Sequence, residues 1–125
     1  MVIMQKRSKR KYTGGRYRAG RSKRQFEAGN APTMTTIGTK RVKKKRTIGA
    51  NTKIKLVANT HVNVFDAKTK KSVKAELKNV VDNKASKFFI RRNILTKGAV
   101  VETDKGKVKI TNRPGQDGNL NGVFA

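Results

Sequence analysis

The chain has 125 residues, enough for one domain with a single small core, and it carries 32 Lys and Arg against seven Asp and Glu, a formal net charge of +25. Such an excess repels itself in a free protein and calls for a polyanionic partner. Nucleic acid is the natural one, because its phosphates release counterions as Lys and Arg replace them. The lack of cysteine excludes disulfides, thiolate metal sites and cysteine nucleophiles, and no run approaches the ~18 apolar residues of a membrane span, so a soluble, intracellular protein is expected.

Residues 1–47 hold 16 of the basic residues and one acid, Glu27. The run Lys6, Arg7, Lys9, Arg10, Lys11 is followed by Gly14, Gly15, Arg16, Arg18, Arg21, Lys23 and Arg24. Almost nothing here can be buried, so the ordering entropy has no internal compensation, and a basic arm that is disordered when free is expected. Gly14-Gly15 lacks the strand, the Gly-Lys-Ser/Thr ending and the helix of a Walker loop; it reads either as glycine backbone approaching phosphate or as a flexible joint. Tyr12, Tyr17 and Phe26 interleave with the charges, placed to stack on unpaired bases or to fold back on the arm. Arg16 to Ala28 reads as solvated coil, the other reading being a short helix stopped at Gly29. The breaker cluster Gly29-Asn30-Ala31-Pro32 marks the boundary, giving an RNA-binding arm over 1–35 and a compact β domain over 36–125.

From Lys40 the pattern is that of strands. Lys40 to Thr47 and Thr52 to Ala58 flank Gly49-Ala50-Asn51 as a hairpin. His61 to Phe65, a turn at Asp66 to Lys70, and Ser72 to Val81 follow, the last alternating apolar and polar residues to give one buried face. Phe88-Phe89-Ile90 fits a strand with a bend or a short helix; a strand at Phe88 to Arg91 is expected, with irregular backbone after it. Ala99 to Thr103 and Lys107 to Asn112 pair around Asp104-Lys105-Gly106, Arg113 to Gly118 is loop chemistry, and Asn119 to Phe124 forms a last strand. Many short strands with little helix predict an all-β fold, a small antiparallel barrel or strongly bent sheet with an extended basic N-terminal arm.

Catalysis finds little support. The single histidine, His61, has no second histidine or cysteine with which to build a metal site, nor is it part of a recognisable triad. Glu102 and Asp104 share one face of a strand but are flanked by Lys105 and Lys107, so charge pairing is the simpler reading than acid/base or Mg²⁺ work. No enzyme activity, cofactor, metal or small-molecule substrate is expected. Arg91 and Arg92 point to opposite faces if they are on a strand; with Lys97 they suggest a second RNA contact, the other reading being a charge pair at the sheet rim.

Four stretches carry a family resemblance: Gly14-Gly15-Arg16 after Ser8 to Lys11; Glu27-x-Gly29-x-x-Pro32; Arg91-Arg92-Asn93-Ile94-Leu95-Thr96-Lys97-Gly98-Ala99; and Arg113-Pro114-Gly115-Gln116-Asp117-Gly118. In this order they resemble the S8e family of small-subunit ribosomal proteins, of archaeal and eukaryotic type, with a length like that of the archaeal members. The chain departs from the family's usual turns at Gly49-Ala50, Asp66-Ala67, Thr69-Lys70 and Asn83-Lys84-Ala85-Ser86. The resemblance implies a structural, non-enzymatic constituent of the cytoplasmic ribosome. Its partners would be small-subunit ribosomal RNA and neighbouring ribosomal proteins, with no membrane and no obligate homo-oligomer. The resemblance implies an extended basic arm in ribosomal RNA; the charge of the residues themselves adds expected RNA contacts on the arm residues above and on Arg91, Arg92, Lys97 and Arg113. A related assembly factor, visiting pre-ribosomal RNA transiently, is the alternative.

Overall fold

The computed structural model describes residues 8–18, 20–22, 24 and 29–125. Its packing divides the chain into two units, Met1–Pro32 and Thr33–Ala125. The second unit runs β1 (Thr35–Ile37), β2 (Arg41–Arg46), β3 (Thr52–Asn59), β4 (His61–Asp66), β5 (Lys71–Asp82), α1 (Lys87–Arg91), β6 (Ile94–Leu95), β7 (Val100–Thr103), β8 (Gly106–Ile110), α2 (Pro114–Asp117) and β9 (Asn121–Phe124). Strands β4-β5-β7-β8-β9 close into a barrel, and β2-β3-β1-β6 form a separate four-stranded sheet. The all-β architecture predicted from alternation is thus present.

The period-two pattern explains which side chains go inward. On β4, Val62 and Val64 are fully buried while Asn63 and Phe65 face out. On β5, Ala75 and Leu77 point in, then the alternation slips: Lys78 and Asn79 are both exposed and Val80 is buried. The slip is a bulge in the pairing of β5 with β7 between Leu77 and Asn79, which restores the inward aim of the strand after one extra residue. Val101, Val108, Ile110 and Leu120 complete the barrel's interior, and Leu56 and Leu95 from the other sheet belong to the same apolar cluster. Full burial of each such side chain stabilises the fold by about 1.5–3 kcal/mol.

Four features depart from expectation. Two pairings are parallel, β1 with β3 and β4 with β9. The second follows from counting: five strands, each antiparallel to its neighbour, cannot close without one parallel seam. Gly122 sits at this seam, opposite Val64 on one side and Ile110 on the other, where a Cβ would lie 2.9 Å from the Lys109 carbonyl oxygen and against Val108. Only glycine lets the closing strand approach so near.

The strand expected at Phe88 to Arg91 is instead the helix α1. Ser86 caps it, its hydroxyl accepting from the Phe88 N–H at 3.3 Å, and Phe89 and Ile90 are only half buried on one side of a single turn. The loop expected over Arg113 to Gly118 contains the helix α2. Pro114 at its first position presets φ, the Arg113 carbonyl accepts from the N–H groups of Gln116 (2.9 Å) and Asp117 (3.0 Å), and Gly118 ends it at φ 70°. Strands β1 and β6, three and two residues long, are too short to show a periodicity in the sequence.

Candidate nucleic-acid interface

In the first unit, backbone hydrogen bonds build a small hairpin from Lys9 to Tyr17. The Lys11 N–H donates to the Gly15 carbonyl (2.7 Å), Gly14 N–H to the Lys11 carbonyl (3.1 Å) and Tyr17 N–H to the Lys9 carbonyl (3.1 Å), while Arg10 and Arg16 form an antiparallel bridge. This is a three-residue loop whose last residue, Gly14, takes the left-handed conformation at φ 84° that side chains resist. Neither Gly-Gly reading from the sequence foresaw a turn that brings cationic strands together. The Arg10 guanidinium donates to the Gly14 carbonyl at 3.0 Å, and the Lys11 ammonium lies 5.7 Å from the centroid of the Tyr17 ring, a cation–π contact. Tyr12 stands fully exposed at the loop. Lys9, Arg10, Lys11, Arg16, Arg18, Arg21 and Arg24 are all exposed. Lys6, Arg7 and Lys23, with Phe26 and much of the Arg16 to Ala28 coil, lie outside the described residues.

In the second unit the resemblance motifs prove to be structural supports that display a few cations. Asn93 ends the α1 turn at φ 49°, and its side-chain oxygen accepts from the Val80 N–H at the β5 bulge (3.2 Å). Ile94 and Leu95 are buried, and the Thr96 hydroxyl donates to Asn83 Oδ1 at 3.0 Å. Asn83, itself buried, also accepts from the Ala85 N–H and donates to the Ile94 carbonyl. Arg91 and Arg92, at the end of a helix rather than on a strand, are both exposed, which removes the conflict of opposite faces, and Lys97 is exposed beyond β6. Likewise the Arg113 N–H donates to Asp117 Oδ2 (3.0 Å), Pro114 is buried and Gly118 packs against Ile54 of β3, leaving the Arg113 side chain exposed.

The six acids of residues 33–125 mostly serve local structure. The Asp66 carboxylate accepts from the Lys68 N–H and the Thr69 hydroxyl, both at 2.9 Å, and these hydrogen bonds, that from Lys68 first, hold its pKa below the usual aspartate value. Asp104 accepts from the Glu76 N–H at 2.9 Å, and Glu102 lies opposite Lys107 across β7 and β8. Among the described residues no three His, Cys, Asp or Glu come together as metal ligands would.

What sequence reasoning missed is on the β2–β3 hairpin. Lys43 faces Lys55 and Lys45 faces Lys53, like charges set directly across the ladder. Six of the sixteen basic residues counted with the arm, Lys40, Arg41, Lys43, Lys44, Lys45 and Arg46, lie in the second unit. A signal was available: folding the hairpin symmetrically about Gly49 sets Lys45 against Lys53 and Lys43 against Lys55. Residues 33–125 hold 22 basic and six acidic residues, a net of +16, so the greater part of the charge belongs to the folded body.

A family model for ribosomal protein S8e matches residues 4–125. The chain is 47% identical over 123 residues to small ribosomal subunit protein eS8 of Methanocorpusculum labreanum, covering 98% of each chain. It is 50% identical over 120 residues to the eS8 of Nanoarchaeum equitans, 96% of this chain and 94% of the relative, and 46% identical over 124 residues to that of Methanobrevibacter smithii, 99% of each. A match of this extent leaves no part of the folded body outside it: the chain belongs to the ribosomal protein S8e family.

Proposed function

We propose that the protein is a structural constituent of the small ribosomal subunit, working in the cytoplasmic ribosome, which binds ribosomal RNA through its basic N-terminal segment and its basic β body. The observation that carries this reading is the net of +16 on a folded unit whose apolar core is already complete. That charge contributes nothing to burial and repels itself, so its compensation lies in a partner. Lys9 to Arg24 supply phosphate contacts, Tyr12 supplies an exposed ring for stacking, and Arg91, Arg92, Lys97 and Arg113 extend the contact onto the body. Arginine and lysine contacts of this kind fix position and local RNA folding rather than sequence, which is the role of a structural component. Neighbouring ribosomal proteins would be its other partners.

Deletion of residues 1–34 tests the reading. The truncation removes ten basic residues. If all ten meet phosphates, the slope of log K against log salt falls by roughly 7–9 for small-subunit RNA. A folded truncation, checked by circular dichroism, that binds with unchanged affinity and unchanged slope would refute the N-terminal contribution.

A further inference from the structure

The lysine pairs of the β2–β3 hairpin have two possible explanations, and the register decides between them. Strand β2 is an edge of its sheet, and lysines on an edge strand protect it from pairing with another chain. That accounts for Lys43 and Lys45. It does not account for Lys53 and Lys55, because β3 is an inner strand, hydrogen-bonded to β2 on one side and β1 on the other. Placed opposite the edge lysines, they add repulsion where edge protection needs none.

The four side chains share one face. Their neighbours on the other face of the hairpin are Val42 opposite Leu56 and Lys44 opposite Ile54; Leu56 is fully buried in the core and Ile54 packs at Gly118. The lysine face is therefore the outward one, with Lys43, Lys45 and Lys53 exposed and Lys55 half-buried. The hairpin supplies no acid of its own: from Ala28 to Phe65 the sequence contains none. Two like-charged pairs, with Cβ atoms about 4.5–5.5 Å apart across the ladder, are spaced along the strands by about 6.8 Å, two residues of rise.

We infer that Lys43, Lys45, Lys53 and Lys55 form a phosphate-binding platform for the backbone of RNA, each cross-strand pair holding one phosphate between two ammonium groups and the two pairs engaging neighbouring phosphates. This rests on the RNA-binding reading above and names a surface that reading did not. The occupant is argued from charge: all four are lysines, flexible point charges that hold phosphate oxygens without the planar fork of arginine, and the net of +16 on the folded body calls for a polyanion denser than an acidic peptide. No aromatic residue occurs between Lys40 and Asn59, so the platform has no stacking group and holds backbone without reading bases. It thus differs in kind from the N-terminal hairpin, where Tyr12 is exposed.

The test replaces all four with glutamine in the full chain (K43Q, K45Q, K53Q, K55Q) and compares it with a control carrying Lys68→Gln, Lys70→Gln, Lys74→Gln and Lys78→Gln on the barrel strand β5 and its turn. Both variants lose the same charge. Binding is measured across a salt series to transcribed archaeal small-subunit ribosomal RNA. The platform variant should lose about 1.5 from the salt slope, two phosphates at 0.7–0.9 each, while the control loses much less. The free platform variant should also melt at a higher temperature than wild type, since its like-charge pairs are gone, an effect that a merely structural role would reverse. If the quadruple variant does not fold, K45Q with K53Q keeps the test, with a loss of about 0.8 for the one phosphate that pair holds. Equal slopes for platform and control variants overturn the inference. Wild-type protein that fails to bind the RNA overturns the RNA-binding reading itself, a distinguishable result.

Discussion

The two sheets of the folded body treat charge in opposite ways. Across the barrel's ladders Asp66 faces Lys71 and Glu102 faces Lys107. Across the open sheet Lys43 faces Lys55 and Lys45 faces Lys53, and its strands contain no acid. Opposite charges across a ladder stabilise by a few tenths of a kcal/mol, up to about 1, and like charges cost a similar amount. The barrel is therefore close to self-sufficient, whereas the open sheet carries a defect in isolation that a polyanion removes. Charge balance and charge excess fall on different strands of one small body, and the sheet with the open edge is the one left unbalanced.

The largest expected effect asks whether this division extends to the core. It does not: Leu56 and Leu95 of the open sheet share one cluster with Val62, Val64, Val101 and Val108 of the barrel. Gly122→Ala, which thrusts a methyl at Val108 and the Lys109 carbonyl, should cost about 1–3 kcal/mol by overpacking. Urea unfolding followed by hydrogen exchange should show protection lost together in β3 and in the barrel. Loss in the barrel alone would mean that the sheets differ in folding as well as in charge.

Much of this architecture is legible in the residues because most strands bury one face. Val62 and Val64, or Ala75 and Leu77, announce themselves by alternation. What was not legible depends on long-range partners. Strands β1 and β6 are too short to hold a pattern and exist because Thr35 and Thr36 pair with Leu95 and Ile94. Phe88 to Arg91 reads as a strand from its apolar run alone, whereas a capping hydroxyl from Ser86 with a left-handed Asn93 decides for helix. At the site, a count of charges over residues 1–47 groups Lys43 and Lys45 with the N-terminal basic residues; the register shows that they share a face with Lys53 and Lys55. Charge content is written in the sequence, but charge opposition is a property of pairing.

The same substitution made in each sheet should therefore act with opposite sign. Lys107→Glu sets a carboxylate opposite Glu102 and should lower the stability of the free protein by about 0.2–1 kcal/mol. Lys45→Glu sets one opposite Lys53 and should raise it by a similar amount while weakening RNA binding. Thermal melts at low salt would show both shifts, and both should shrink as added salt screens the exposed charges. Shifts of the same sign would mean that net charge, rather than the local pairing, governs stability.

The smallest effect concerns pH. The turn between β4 and β5 is tied by the Asp66 carboxylate, which accepts from the Lys68 N–H and the Thr69 hydroxyl; the turn between β2 and β3 is tied by neutral groups, the Thr47 hydroxyl donating to the Asn51 carbonyl at 3.0 Å and the Asn51 amide to the Ile48 carbonyl at 3.3 Å. Because the hydrogen bonds lower the folded-state pKa of Asp66, its contribution is fully present above the ordinary aspartate pKa and is lost as pH falls through the lowered one. Asp66→Ala should therefore depress the melting temperature slightly at neutral pH, and the deficit should close once the wild-type carboxylate is protonated. Asn51→Ala, in the lysine hairpin, should give a deficit that does not change over the same acid range, because no group in that turn titrates there. A pH-dependent deficit for Asn51→Ala, or a constant one for Asp66→Ala, would show that the carboxylate's charge is not what holds the barrel's turn.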